Sequence, residues 1–305
     1  MSYQIRSDCG QVALYVLAGA DESLVGLEFH NCRILSVPYI ELLNIATQIQ
    51  GREVLHYVTT SIANGQYIPS NSDLIVLEVA DYSGGQIDFY DQYLFTLLKL
   101  FKAEDIYPCY SLMYHCNDSV LSSQGFVHKI EYKHAVVFRE ARYKINEVEK
   151  DFFHNWLDQY IVELFTNKKN DQFCNMLRAY DTSYLIGITE LEYIMLFSVL
   201  EMAFGSGNYE ITYQISRGTA LLLANDSSDM ENIYTCMKKL YRERSKYVHE
   251  GKSIKIEALY ELRDTVRKIL LKLIDMEYHK DGKSFRDLQK QILLGGFASF
   301  AEKGE

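Results

Sequence analysis

Apolar residues recur every three or four positions through the second half of the chain, from residue 144 to residue 275. That period is typical of an amphipathic helix, whereas a half-buried strand would alternate apolar and polar positions. Four such runs, at 191–202, 209–223, 233–248 and 256–274, are separated by glycines or by short polar segments. The pattern predicts an all-α helical bundle over residues 144–275.

Capping residues indicate where two of these helices begin and end. Thr189 to Glu192 and Ser228 to Glu231 have the capping-box pattern, in which a hydroxyl accepts from a backbone N–H and a Glu reaches back. Each should open a helix. Gly205 and Gly207 should end the first, and Gly251 should end the second.

The apolar positions also predict which side of each helix is buried. The helix that begins at Thr189 should bury Leu191, Ile194, Met195, Val199 and Met202. The helix that ends at Gly251 should bury Ile233, Met237, Leu240, Tyr241 and Val248. The last long helix should bury Leu259, Leu262, Val266, Ile269 and Leu273. A short additional helix is expected after Phe285, around Leu288 and 292–294.

Residues 1–143 have a different pattern. Strand-forming residues dominate the runs 11–17, 25–29, 72–79 and 134–138, and helical segments occupy 38–50 and 88–102. This alternation predicts a mixed α/β domain. It contains no Gly-rich phosphate loop, Rossmann fingerprint or nucleophile elbow. Recognition of a trigger or substrate is therefore the role we expect for it.

The fold class that follows is α+β. A mixed α/β domain over residues 1–143 should precede the all-α bundle over 144–275, with a helical tail over 276–305. No apolar run reaches the roughly 20 residues needed to span a bilayer, and no signal peptide is evident. We expect a cytoplasmic protein that makes no membrane contact.

The cysteines do not predict a metal site. There are six in the 305 residues, and none forms a C-x-x-C pair. Cys109, His115 and Cys116 are close in sequence, but they lie in a segment that alternates like a strand. No metal and no cofactor are expected.

Charge is unevenly distributed along the chain. The formal net charge is −10, yet between Lys238 and Lys272 eleven Lys or Arg residues face five Asp or Glu residues, a local excess of +6. A basic patch on an acidic protein favours binding to phosphate groups. An ordinary solvated pair of helices is the alternative.

Arg244 and His249 lie within that basic segment, near the end of a predicted helix. A guanidinium offers a planar fork of donors suited to phosphate oxygens. An imidazole, with an unperturbed pKa of about 6.5, can act as base or acid near neutrality. Together they supply the roles required for RNA cleavage without a metal. Two side chains on a solvated helix face are again the alternative.

Helical geometry tests which arginine accompanies the histidine. At about 100° per residue, Arg244 and His249 diverge by roughly 140°, whereas Arg242 and His249 nearly eclipse. Arg244 acts with His249 only if His249 lies in a loosened last turn or if the two come from opposite protomers. Supporting contacts are expected from Ser245, one turn before His249, and from Lys246, which can bind phosphate or lower the imidazole pKa.

Three phrases in this half resemble the Apea-like HEPN family of prokaryotic defence proteins. Phe197–Phe204 resembles its aliphatic "ALE-L" helix, and Glu210–Leu223 resembles its "E-I…R-x-A-x-L-L" helix. Leu240–His249 resembles "L-Y-xx-R-S-x-x-V-H-G". The chain departs from the family at Glu250, which separates His249 from Gly251 and should lengthen the turn by one residue.

The resemblance implies a metal-independent endoribonuclease. Two protomers would pair through the bundle so that Arg and His side chains converge in one cleft. Arg244 would then hold the scissile phosphate and His249 would move the proton. Tyr241, Arg242, Ser245 and Lys246 complete the set of expected RNA contacts, with Arg242 ranked behind Arg244 as the phosphate ligand.

The partners implied by the resemblance are RNA, a second copy of the chain, and a regulatory protein or antitoxin. The setting would be antiviral defence or toxin-like growth arrest. The competing hypothesis is a noncatalytic HEPN module that binds RNA or nucleotide, or that mediates dimerisation. Retention of both Arg244 and His249 favours the nuclease.

Overall fold

The computed structural model describes residues 10–29, 31–50, 73–81, 87–117, 120–122, 143–161, 164, 170–205, 210–277, 279–280 and 286–291. The chain divides into two compact units, Met1–Phe165 and Thr166–Glu305. The described elements make the fold mixed α+β, as the sequence predicts.

An antiparallel sheet forms the centre of the first unit. Its described strands are β1 Gln11–Ala18, β2 Glu28–Phe29, β3 Cys32–Pro38, β4 Asp73–Asp81, β5 Tyr107–Asn117 and β6 Val120–Ser122. They lie in the order β2-β3-β4-β1-β5-β6. On the central strand, Leu14 pairs with Glu78 on one side and with Leu112 on the other. β1 is buried on both faces, which explains its unbroken apolar run.

Two helices cover opposite faces of this sheet. The helices of the unit are α1 Tyr39–Gln50, α2 Ile87–Phe101 and α3 Glu147–Ile161. Leu42 of α1 belongs to the same buried cluster as Leu14 and Val16. The ring of Tyr15, whose side chain points to the other face because strand residues alternate, lies 5.6 Å from that of Phe95 in α2.

Helix α3 belongs to this first unit. Its Phe153 and Trp156 rings lie 4.8 and 5.1 Å from the ring of Phe101, in edge contacts. Lys102 donates to Glu149 Oε1 at 3.2 Å. The sequence-based division after residue 143 therefore lies earlier than the division after Phe165 in the structure. The periodic pattern identifies α3 as a helix, but these aromatic contacts determine which core it joins.

Every element described in the second unit is a helix. These are α4 Asp171–Ser183, α5 Thr189–Phe204, α6 Ile211–Leu223, α7 Ser227–Glu250 and α8 Ile256–Asp275. Residues 286–291 are also helical. Leu288 there is fully buried, and Gln289 Nε2 donates to the carbonyls of Met202 and Ala203 at 3.3 Å. The short helix expected after Phe285 thus packs on the end of α5, where helical carbonyls lack intrahelical partners.

A buried ion pair joins α5 to α8. Arg263 Nη2 donates to Glu192 Oε2 at 2.7 Å, and the two side chains are 1 % and 2 % exposed. The guanidinium lies 4.2 Å from the centre of the Tyr184 ring. The pair compensates two charges that would otherwise be costly to bury.

The predicted helix starts are correct to within two residues, but the predicted caps are wrong. The N-cap of α5 is Ile188, which makes no side-chain cap hydrogen bond, so Thr189 is already helical. The N-cap of α7 is Asp226, whose carboxylate accepts from the N–H of Asp229 at 2.8 Å. The Asp226 cap therefore starts α7 before Ser228.

The buried side of α5 also differs from the prediction. Its buried residues are Glu192, Tyr193, Leu196, Phe197, Val199, Leu200, Ala203 and Phe204. Leu191 is 42 % exposed, and Ile194, Met195 and Met202 are only partly buried. Because α5 is apolar on nearly every side, periodicity alone does not select its inner face, and its aromatic residues pack inward. In α8, by contrast, all five residues predicted to face inward are buried.

Other predictions in the first unit are confirmed with small shifts. β1 and β4 match the runs 11–17 and 72–79, and α1 and α2 match the helical segments. Of the run 25–29, only Glu28–Phe29 forms a strand. The run 134–138 lies outside the described residues. β3 was not predicted.

No helix in the part of the chain that the structure describes is long and apolar enough to cross a membrane.

Candidate functional site

The C-terminal half of α7 carries the candidate site, and α5 packs against this half of the helix. The Tyr193 hydroxyl donates to the carbonyl of Leu240 at 2.8 Å. The Phe197 ring lies 5.3 Å from the Tyr241 ring in an edge contact. Burial raises the pKa of Tyr193 well above its ordinary value, so the hydroxyl stays protonated and keeps donating. These contacts fix the position of α7 one turn before Arg244.

The end of α7 is as the sequence predicts. Gly251 is the C-cap, with φ +68° in the left-handed region, and its N–H bonds to the carbonyl of Tyr247 at 3.0 Å. Glu250 lies inside the helix. The residue that separates His249 from the glycine therefore extends the helix and does not lengthen the turn, which corrects the expectation above.

Arg244 is held by a carboxylate and two aromatic rings. Its Nη2 lies 3.0 Å from Glu201 Oε1, and its Nη1 donates to the Tyr241 hydroxyl at 3.1 Å. The guanidinium carbon lies 5.2 Å from the centre of the Tyr241 ring and 6.0 Å from that of Phe197. The side chain is 22 % exposed. Arg244 is therefore ordered, and its charge is already paired.

Arg244 nevertheless keeps donors for a further ligand. A guanidinium has five N–H groups. Its Nε is buried and makes no hydrogen bond to any described residue. The buried Nε is out of reach of an approaching anion, which would meet the remaining Nη donors and also the carboxylate of Glu201, 33 % exposed beside them.

His249 lies in the last turn of α7 and is exposed. Because the helix continues regularly to Glu250, His249 and Arg244 point in directions about 140° apart. Arg244 lies on the side of the helix that also carries the buried Met237 and Leu240. The structure does not bring Arg244 and His249 together within one chain, and the loosened last turn that would have done so does not occur.

Arg242 shares the face of His249. The two residues are seven positions apart, so their directions differ by only about 20°, and both are exposed. No ion pair to Arg242 occurs among the described residues. The helical geometry worked out from the sequence therefore holds: the arginine beside His249 on the surface is Arg242.

Two expected supporting residues differ from their predicted roles. Ser245 is half-buried, and no hydrogen bond joins it to His249 in the described structure. Lys246 pairs with Glu243 at 2.8 Å, and this hydrogen bond lowers the pKa of Glu243. Lys246 thus already has a counter-charge beside it.

Ion pairs neutralise much of the local positive excess. Six of the eleven cations between residues 238 and 272 pair with a carboxylate: Arg244, Lys246, Lys252, Arg263, Arg267 and Lys268. Among described contacts the other five make no ion pair: Lys238, Lys239, Arg242, Lys255 and Lys272. Three of these five lie on α7. The described cations of this segment that make no ion pair are therefore concentrated on that helix.

A separate cavity of about 580 Å³ lies between the end of α6, the first half of α7, and α8. In its wall the Cys236 thiol donates to Glu261 Oε1 at 3.0 Å. Burial, followed by this hydrogen bond, raises the pKa of Cys236 to about 12. The thiol is protonated at neutral pH and is not a nucleophile.

Glu201 and Tyr193 are contributors that the sequence did not identify. Both lie on α5, more than forty positions from the residues they contact, so no local pattern reports the contact. Glu201 was nonetheless present in the "ALE-L" phrase. A charged residue retained inside an aliphatic helix is the signal that could have revealed it.

No group of three or more His, Cys, Asp or Glu residues placed to hold a metal ion occurs in the described part of the chain. Cys109, His115 and Cys116 lie in β5, which confirms the predicted strand. Comparisons with protein-family models, curated proteins and solved structures found no match to this chain.

Proposed function

We propose that the protein is a metal-independent endoribonuclease whose second unit is a HEPN-like helical bundle. The observation that carries the proposal is the exposed end of α7, where His249 shares a surface with Arg242, which makes no ion pair to a described residue. Glu201 holds Arg244 on a side of the helix about 140° away. The three phrases that resemble the Apea-like HEPN family support the same assignment.

The reaction is transfer of the phosphodiester to the neighbouring 2′-oxygen. His249 removes the proton of the ribose 2′-hydroxyl, the 2′-oxygen forms a bond to phosphorus, and the bond to the 5′-oxygen breaks as a protonated imidazole supplies its proton. The guanidinium of Arg244 stabilises the charge that develops on the phosphate oxygens. The products are a 2′,3′-cyclic phosphate and a 5′-hydroxyl. DNA lacks the 2′-hydroxyl and is not cut.

Two copies of the chain are needed for Arg244 to meet His249 at one phosphate, because the two side chains diverge within one helix. A dimer through α7 supplies two imidazoles, one as base and one as acid, and it places Arg244 of one protomer near His249 of the other. Light scattering over micromolar concentrations checks the assembly. A strictly monomeric protein that still cleaves RNA would exclude the composite site.

The decisive experiment is cleavage of labelled RNA in EDTA by wild type and His249→Ala. Loss of proton transfer should lower the rate by about 10²- to 10⁴-fold. His249 is exposed, so thermal melts of the variant should match wild type. Arg244→Ala should be similarly damaging, and Arg244→Lys should rescue poorly because the bidentate fork is lost. Undiminished cleavage by His249→Ala, or a requirement for a divalent metal, would refute the assignment.

A noncatalytic HEPN module that binds RNA or nucleotide, or that mediates dimerisation, is the second candidate. The observation that favours it is the pairing of Arg244 with Glu201, which offsets the charge needed at a scissile phosphate. In that case wild type and His249→Ala should both bind RNA and leave it uncleaved.

The first unit is proposed to recognise the trigger or the substrate, and a regulatory protein or antitoxin to restrain the nuclease. Antiviral defence or toxin-like growth arrest is the setting that fits such an enzyme. Expression of wild type and His249→Ala in a bacterial host tests this: growth arrest should require the histidine.

A further inference from the structure

A pair of tyrosines, one exposed and one half-buried, lies next to cations of α7 that make no ion pair to any described residue. Tyr213, in the first turn of α6, is 41 % exposed, and its ring centre lies 6.4 Å from that of Tyr234 in α7. Lys238 Nζ lies 5.3 Å from the centre of the Tyr234 ring. An aromatic surface beside a free ammonium is the combination on which nucleic-acid bases stack while their phosphates are held.

These groups continue along one side of α7 to His249. At about 100° per residue, Tyr234, Lys238, Arg242 and His249 fall within an arc of roughly 80°. The buried residues Met237 and Leu240 lie outside this arc, on the inner side. At about 1.5 Å per residue, the stripe from Tyr234 to His249 is roughly 22 Å long, which is long enough for several nucleotides.

The charges on this stripe differ from those around it. Lys238 and Arg242 are exposed and make no ion pair among the described contacts. Lys246, about 40° from Arg242 around the helix, and Lys252, just past the helix end, are paired with Glu243 and Glu250. Exposed, uncompensated cations release counterions when they contact phosphates, and this release favours binding.

We propose that this stripe, defined by Tyr213, Tyr234, Lys238, Arg242 and His249, is a binding track for single-stranded RNA. A base stacks on the tyrosine pair, Lys238 and Arg242 contact successive parts of the phosphate backbone, and the strand leads to His249. The role of His249 at the end of the track rests on the proposed nuclease function, whereas binding along the track does not. A duplex would not bind in this way, because its bases are stacked on each other.

Binding is tested with a labelled single-stranded oligoribonucleotide, followed by fluorescence anisotropy over a range of salt concentrations in the His249→Ala background, where the RNA stays intact. Each lost phosphate contact lowers the slope of log K against log salt by about 0.7 for a single strand. Lys238→Ala with Arg242→Ala should therefore lower the slope by about 1.4. The matched control is Lys268→Ala with Lys280→Ala, two ion-paired lysines elsewhere in the unit, which should leave the slope unchanged.

The aromatic half of the track is tested at fixed salt. Tyr213→Ala and Tyr234→Ala should each weaken binding by about 5- to 150-fold with little change in slope. Tyr213→Phe and Tyr234→Phe keep the ring and should bind like the parent. Single-stranded DNA of the same sequence should bind comparably and survive wild-type enzyme.

Several results would overturn the track. One is that the protein does not bind the RNA, and another is that the control pair changes the salt slope as much as Lys238→Ala with Arg242→Ala. A third is that the alanine variants of both tyrosines bind RNA as tightly as the phenylalanine variants. The last is that the protein binds an acidic polypeptide, and that this binding depends on the same cations but not on the tyrosine rings. Failure of the nuclease proposal is recognised separately: binding then follows the pattern above, while wild type leaves the RNA intact in EDTA.

Discussion

Replacing Glu192 with leucine should remove a large part of the free energy of unfolding of the second unit. The carboxylate of Glu192 lies 2.7 Å from Arg263 Nη2, with both side chains nearly inaccessible to solvent. Without it, the guanidinium remains buried beside the Tyr184 ring and has lost the carboxylate that lies 2.7 Å from its Nη2. Breaking such a pair from one side costs about 3–5 kcal/mol.

That loss is large against a typical domain stability of about 5–15 kcal/mol. At about 4 °C per kcal/mol for a domain of this size, the melting midpoint should fall by roughly 12–20 °C. Urea titration followed by far-UV circular dichroism measures the change, with the slope m expected to stay constant.

The control removes both charges. Glu192→Leu with Arg263→Met replaces the pair by apolar groups of similar length, a change that is often neutral or stabilising. The double variant should therefore recover most of the loss, and the double-mutant cycle should give a coupling energy of several kcal/mol. A loss below about 1 kcal/mol for Glu192→Leu, or a double variant less stable than the single, would refute the reasoning.

Three further predictions follow from local geometry. Gly251→Ala should cost about 1 kcal/mol, because φ is +68° while nothing lies within 4 Å of the added Cβ, and Gly251→Asn should cost less; thermal melts report both. The pKa of Glu149 is lowered from 4.5, first by the hydrogen bond from the backbone N–H of Asn146. Its contribution to the free energy of unfolding is therefore present above about pH 4.5 and is lost as the pH falls through the pKa of the folded protein. Glu149→Gln should flatten that acid-side loss in urea titrations at several pH values, and an unchanged profile would contradict it. Glu201→Gln should change stability by under about 1 kcal/mol, since its pair with Arg244 is partly exposed, yet raise RNA affinity in filter binding; unchanged affinity would show that the carboxylate does not compete with phosphate.

Local patterns predicted where the helices of the second unit lie in the sequence. They predicted poorly which face of a helix is buried and which core a helix joins. The start of α8 and the end of α7 follow from periodicity and from Gly251, which are signals contained within a few residues. The inner face of α5 does not, because apolar residues surround that helix. The place of α3 depends on Phe101, more than fifty positions earlier in the chain than Phe153.

The candidate site shows the same division. The angle between residues 244 and 249 was available from the helix period alone, and it correctly separated Arg244 from His249. The partner of Arg244 was not available, because Glu201 reaches it across the packing of two helices. Charge excess along the sequence was a partial guide only: six of the eleven cations turned out to be paired, and two of those pairs use carboxylates outside the basic segment.

The different settings of Arg244 and His249 have an entropic consequence. Arg244 is confined by Glu201, Tyr241 and the Phe197 ring, so the freedom of its long side chain is already lost when the protein folds. His249 has no described hydrogen bond and retains its rotamers at the surface. Immobilising such a side chain on association costs about 0.5–1.5 kcal/mol. A ligand that contacts both side chains therefore meets one preorganised group and one that must still be ordered. Changes that restrict the ring of His249 should tighten its binding without adding a contact.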